Sequence, residues 1–161
     1  MKSLFPYAGG KIHLIKYIEE IYRKSNKTAF IDVFGGSGKV LMNIDSRNKI
    51  YNDIDNSLVN IFETLRNNPG ILKDKFQYSL NSRKLFYEYK NITDDSAENA
   101  FRRVYTYLMS FAGKGNHYAQ QIFSLDIIQS ILQLIKIIII EIVPVKFYLI
   151  IWRIQVKERI F

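Results

Sequence analysis

The feature that most constrains this chain is a glycine-rich turn set between an apolar strand and a helix. Residues 29–34, Ala-Phe-Ile-Asp-Val-Phe, have the β-branched and aromatic content of a buried strand, and Gly35-Gly36-Ser37-Gly38 follows directly. Val40-Leu41-Met42 then opens a helix. Glycines at such a junction permit positive φ and let a ligand approach the backbone closely. A second short strand fits Lys49 to Asn52. Asn56 or Ser57 is placed to cap a helix from Leu58 to Arg66, which Asn67-Asn68-Pro69-Gly70 stops. The order strand, glycine turn, helix, strand, helix predicts the start of a doubly wound α/β sheet.

The acids around this turn suggest its chemistry. Asp53 stands twenty-one residues after Asp32, at the end of the second predicted strand. A carboxylate there is placed to accept hydrogen bonds from both hydroxyls of a ribose. Asp32, at the mouth of the first strand, is placed to take the ammonium of an amino-acid tail. The turn departs from the GxGxxG fingerprint, so a pyrophosphate ligand fits it poorly. Taken alone, the turn and its acids also suit a simple chain reversal with surface carboxylates. Upstream, Phe5-Pro6-Tyr7-Ala8-Gly9-Gly10-Lys11 precedes a predicted helix from Ile12 to Arg23, with apolar positions at Ile12, Ile15, Ile18 and Tyr22. Tyr7 is placed to pack on a ligand and Lys11 to meet a carboxylate, although in isolation this segment reads better as a capped surface helix with a solvated lysine.

Phe-Pro-Tyr-x-Gly-Gly-Lys, Asp-x-Phe-Gly-Gly-Ser-Gly and Tyr-Asn-Asp-Ile-Asp, in that order and spacing, resemble the Dam-like DNA adenine methyltransferases. The resemblance is specific over residues 1–66 and looser to about residue 125. It implies an α/β, Rossmann-like fold dependent on S-adenosylmethionine, incomplete here, with a helical DNA-facing insertion. It also implies a cofactor site made of Tyr7, Gly9, Gly10 and Lys11, then Asp32, Phe34, Gly35, Gly36, Ser37 and Gly38, then Asp53. Asp55 falls where the family varies and is a weaker candidate. S-adenosylmethionine suits the acids, since it has no phosphate and carries a sulfonium and an ammonium.

The formal net charge of +8 favours polyanionic partners, double-stranded DNA among them. Between residues 71 and 121, Arg102, Arg103, Lys114 and His117 are interleaved with Tyr105, Tyr107, Phe111 and Tyr118, on predicted helices 82–90 and 95–111 and the loop that follows. Such cations neutralise phosphates and such aromatics stack on bases. The same aromatics at helical spacing also describe a packed core. Cysteine is absent, and His13 and His117 are the two histidines, which leaves too few ligands for a zinc site, so no metal is expected. The N-terminus lacks the apolar core of a signal peptide, and Lys136, Glu141 and Lys146 interrupt the apolar C-terminal third. A cytoplasmic protein with no membrane partner is therefore expected, its oligomeric state open.

Three regions are expected: a cofactor-binding α/β region over 1–70, a helical basic and aromatic segment over 71–121, and a tail over 122–161. Fourteen residues of that tail are isoleucine. Enzymes of the resembled family carry an Asp-Pro-Pro-Tyr motif that accepts the hydrogens of the adenine amino group and stacks on the flipped base. The prolines here are Pro6, Pro69 and Pro144, no two adjacent, so the motif is absent and no catalytic residue is assigned. The tail is expected to be foreign to the family, as from a truncated or frame-shifted gene; the alternative is a genuine tail that adds strands to the sheet. The expected function is site-specific methylation of adenine in DNA, as in restriction-modification, in a chain truncated and inactive. The alternatives are a non-catalytic remnant that binds cofactor, DNA or both, an RNA methyltransferase, and a purely structural basic protein.

Overall fold

The computed structural model of the chain describes residues 3–91, 94, 96–119, 133 and 146–147. It is a mixed α/β structure in which a small parallel sheet carries the glycine turn and a helical layer stands beside it. Strand β1 (Ala29–Asp32) pairs in parallel with β2 (Asn48–Tyr51), and β2 pairs in parallel with β3 (Lys146–Phe147), giving the order β1-β2-β3. Apart from Gln133 and β3, the tail over 122–161 lies outside the described residues, and with it the question of its origin.

The first helical stretch begins as a 3-10 turn at Ile12–Leu14 and continues as α1 (Ile15–Lys24). Its apolar side, Ile15, Ile18 and Tyr22, packs on Val40, Ile44 and Phe30, with the Tyr22 ring edge-on to Phe30 at 5.5 Å. Its outer face carries the ion pairs Arg23–Glu19 and Lys24–Glu20 at i,i+4 spacing, too exposed to contribute more than a few tenths of a kcal/mol, roughly. Helix α2 (Lys39–Asn43) follows the glycine turn and presses Val40, Leu41 and Met42 into the interior.

The first strand differs from its sequence reading. It ends at Asp32 rather than Phe34, and it is not buried along its length: Ile31 is 49% and Phe34 75% exposed. The cause is Asn52, which stitches the chain where the strands part. Its N–H donates to the Asp32 carbonyl at 3.0 Å, its carbonyl accepts from Gly35 N–H at 2.9 Å, and its side-chain amide donates to the Val33 carbonyl at 2.9 Å. Residues 33 and 34 are thereby drawn out of the strand and into the turn.

Helix α3 (Asn56–Asn67) is buried on most of its circumference, through Leu58, Val59, Ile61, Phe62 and Leu65, because it stands between the sheet and the helical layer. Its cap is Asp55, one residue earlier than expected, whose carboxylate accepts the Ser57 N–H at 2.9 Å. Asn67-Asn68-Pro69-Gly70 does stop it, but Pro69 also starts a helix that the sequence reading lacks, α4 (Pro69–Gln77), since proline at a first helical position costs no hydrogen bond. Helices α5 (Arg83–Lys90) and α6 (Ala97–Leu108) are capped by Ser82 and Ser96. The aromatic series of this segment is largely core: Phe76, Phe86, Phe101 and Tyr105 are enclosed between α4, α5 and α6, and the Tyr105 hydroxyl donates to the Leu80 carbonyl at 2.7 Å.

Past α6 the chain folds back on itself. Ser110 and Tyr118 form an antiparallel bridge, and Ala119 N–H donates to the Met109 carbonyl at 2.9 Å. Within this loop Gly113 has φ +67, and a Cβ placed on it would stand 2.4 Å from the Pro6 carbonyl oxygen and 2.8 Å from the Tyr7 nitrogen. The loop is thus pressed backbone to backbone against the N-terminal motif. Gly113→Ala combines an unfavourable φ with a clash against main chain that cannot yield easily, and is expected to destabilise the fold by about 2–4 kcal/mol, read as a lowered urea midpoint.

Candidate cofactor cleft

The site is built where three chain segments converge: residues 7–11 before α1, the turn after β1, and the end of β2. Together they enclose a cleft of about 180 Å³ lined by Tyr7, Ala8, Gly9, Gly10, Lys11, Phe34, Gly35, Gly36, Ser37, Lys39, Val40 and Asp53. Nine of the eleven residues assigned from sequence line it. The other two stand just behind: Asp32 is buried at the strand end, and Gly38 precedes α2 against the Met42 and Phe62 side chains.

A clamp on one residue holds the turn. The Gly36 N–H donates to Asp53 Oδ2 at 2.8 Å, and the Gly36 carbonyl accepts the Tyr51 hydroxyl at 2.7 Å. The Tyr51 ring lies under Gly35 so closely that a Cβ on Gly35 would fall 2.2 Å from it. Gly35 is therefore required by close approach, with an aromatic floor beneath it. Burial first, and then the nearby carboxylates of Asp53 and Asp32, push the Tyr51 phenol far above its ordinary range, so it remains a donor at any physiological pH. Above the turn stands Tyr7, edge-on to Tyr107 at 5.3 Å, its own ionisation also disfavoured by burial and by Asp55 and Asp53.

The two assigned acids differ in environment. Asp53 is half-buried; besides Gly36 it accepts the Asp55 N–H through Oδ1 at 3.0 Å, which fixes the carboxylate at the cleft edge. Asp55 itself faces Ser57 as a helix cap, at 2.9 Å to the N–H and 2.6 Å to the hydroxyl, a structural task that accounts for it. Asp32 is 9% exposed, and its Oδ2 is buried without a hydrogen-bond partner among the described residues. Burial raises its pKa above the ordinary carboxylate range, while the positive charge of Lys11 and the N–H groups of Phe34 and Leu41 act in the opposite direction. An orphaned acceptor of this kind costs stability unless a donor arrives.

The residues assigned to DNA differ in their surroundings. Lys114 and His117 are exposed on the loop after α6. Arg102 lies over the Tyr89 ring at 5.5 Å and 3.5 Å from Glu98, and the Nε atoms of Arg102 and Arg103 are both buried. Tyr105 and Tyr107 are buried and so not available to stack on bases, whereas Phe111 is 70% exposed beside Lys114. Lys39, Val40, Ala8 and Tyr51 were not assigned from sequence. Tyr51 was within reach, standing two residues before Asp53 in the third motif; Lys39 gave no signal beyond following the turn. Among the described residues no group of three metal-ligating side chains occurs, and no helix is long and apolar enough to cross a membrane.

Comparison with known proteins accords with this geometry. The family of D12 class N6 adenine-specific DNA methyltransferases matches residues 7–132, and the chain belongs to that family. The matched range opens on Tyr7 and takes in the turn, both acids and the helical layer. The modification methylase StsI of Streptococcus sanguinis is 30% identical over 71 residues, which is 44% of this chain and 11% of the length of that methylase.

Two variants test the site. Tyr51→Phe keeps the ring under Gly35 and removes one hydrogen bond, so a loss of about 1 kcal/mol in unfolding free energy is expected with the fold retained. For Asp32, a raised native pKa means that the folded state binds its proton more tightly than the unfolded state. The stabilisation from that proton is full below the ordinary value and is lost as pH rises through the raised one. Asp32→Asn is therefore expected to raise the melting temperature at pH 7 and to flatten its dependence on pH above the ordinary carboxylate range, as read by calorimetry at several pH values.

Proposed function

We propose that the chain binds S-adenosylmethionine in this cleft and supplies the cofactor-binding part of a DNA adenine methyltransferase. The observation that carries the reading is the pairing of a buried, unpartnered Asp32 oxygen with a fixed Asp53 carboxylate on either side of a glycine turn. The cofactor fits these groups. Asp53, its oxygens oriented by Gly36 and Asp55 N–H groups, retains lone pairs for the ribose hydroxyls. Asp32 offers its free oxygen to the ammonium of the methionine tail. Gly9 leaves open space beside its backbone, and Tyr7 flanks Gly36, so that the chain borders the ligand without side-chain obstruction. The enclosed volume is below the roughly 300–1,000 Å³ of a complete small-molecule site, which suits enclosure of the tail and ribose with the adenine at the exposed Phe34 rim.

When bound, the cofactor supplies an electrophilic methyl group. The protein orients it, and Tyr7 and Phe34 help to exclude water. By membership of the family the acceptor is the exocyclic amine of adenine in duplex DNA, and the architecture is a Rossmann-like methyltransferase. Lys114 and His117, with Phe111 between the core and the loop tip, are the groups that face DNA. The acid and aromatic needed to accept the amine hydrogens and hold the flipped base are not found as an Asp-Pro-Pro-Tyr motif among the 161 residues. The chain by itself is therefore a cofactor- and DNA-binding unit that does not complete the transfer.

Titration of S-adenosylhomocysteine by calorimetry is expected to show one site, with affinity lowered by about tenfold or more in Asp53→Ala. Absence of binding by a folded chain overturns the reading. Transfer of labelled methyl groups from S-adenosylmethionine to adenine-containing duplex by the pure chain overturns the second part alone.

A further inference from the structure

The cleft holds two lysines, and their surroundings assign them different tasks. Lys11 is exposed, and its charge acts on the buried Asp32, opposing the effect of burial on that carboxylate. Lys39 is the first residue of α2 and half-buried, and its side chain runs along the cleft wall to Gly10. A Cβ on Gly10 would lie 3.4 Å from the Lys39 ammonium nitrogen and 3.8 Å from its Cδ. Among the described residues this ammonium makes neither an ion pair nor a hydrogen bond. Both oxygens of Asp53, the other acid of the cleft, are held by backbone N–H groups.

We propose that Lys39 is a specificity-determining residue of the cleft, its ammonium binding the carboxylate of the cofactor's methionine tail. The inference rests on the S-adenosylmethionine reading above and assigns to Lys39 the role that sequence alone gave to Lys11. A zwitterionic tail presents an ammonium and a carboxylate a few ångströms apart. Asp32 answers the first, and of the two lysines lining the cleft Lys11 is exposed whereas Lys39 is half-buried. Lys39 is the cation that remains, held over the glycine backbone where a tail entering between residues 9–10 and the turn would bring its carboxylate. A charge-assisted contact of this kind discriminates between ligands that keep the carboxylate and ligands that lack it.

The test uses the full chain and two ligands: S-adenosylhomocysteine, and its decarboxylated analogue, which keeps the adenosine, sulfur and amine. The unaltered protein is expected to prefer the first by about tenfold. In Lys39→Met that preference should collapse through loss of affinity for S-adenosylhomocysteine alone, and Lys39→Arg should restore most of it. Lys11→Met should weaken both ligands together and leave the preference standing. The proposal is overturned if Lys39→Met retains the preference, if it weakens both ligands equally, or if Lys11→Met is the variant that abolishes discrimination. Failure of the unaltered protein to bind either ligand would instead remove the cofactor reading on which the proposal stands.

Discussion

Both backbone hydrogen-bonding groups of a single residue, Gly36, are held from the end of β2 and its exit: its N–H by Asp53 and its carbonyl by Tyr51. Most of the structure that matters for binding depends on this. The turn cannot move relative to β2 without breaking both bonds, and the Tyr51 ring cannot leave Gly35 without exposing a buried aromatic. The clamp therefore fixes the turn, the Asp53 carboxylate and the cleft floor as one rigid piece. Asn52, between the two clamping residues, ties the same strand end to Asp32, Val33 and Gly35. Three consecutive residues of β2 and its exit thus set the geometry of a loop that follows a different strand.

The cleft is also held in a poised state by its charges. Asp32 is paid for in stability, since it is buried with an unpartnered oxygen, and only part of that cost is offset by Lys11 and two backbone N–H groups. The same burial that makes an unpartnered carboxylate oxygen costly also strengthens any contact it makes with a cation. The burial of Asp32 sets it apart from the surface acids that a simple chain reversal would carry.

Much of this was legible in the residues before the structure. Glycine runs and acids at strand ends have few uses, so nine of the eleven assigned positions line one cleft, and the remaining two stand against it. The order of strands and helices through Asn67 followed from local pattern. What failed did so where a long-range partner decides the outcome. The end of β1 is set by Asn52, twenty residues on from Asp32, and nothing in Val33 or Phe34 announces it. Helix α4 was read as a stop because Pro69 both ends one helix and begins the next. The aromatics of this segment divide by what packs on them, so Phe101, Tyr105 and Tyr107 of α6 are core while Phe111, in the loop after it, faces outward. Arg102 is likewise engaged by Tyr89 and Glu98, a fact about α5 and α6 together.

The press of Gly113 on the Pro6–Tyr7 peptide bears on how the molecule is assembled. The N-terminal motif is synthesised first, yet the surface that seats it comes from the far side of the helical layer: the loop after α6, and Tyr107, whose ring stacks on Phe5 at 5.0 Å. A contact of such long sequence separation forms late, after the intervening loops have closed. During synthesis the leading residues must wait, without a seat, until α6 and the following turn have left the ribosome. A chain that has made both strands and the glycine turn, but not the loop after α6, still lacks the seat for the N-terminal wall of the cleft.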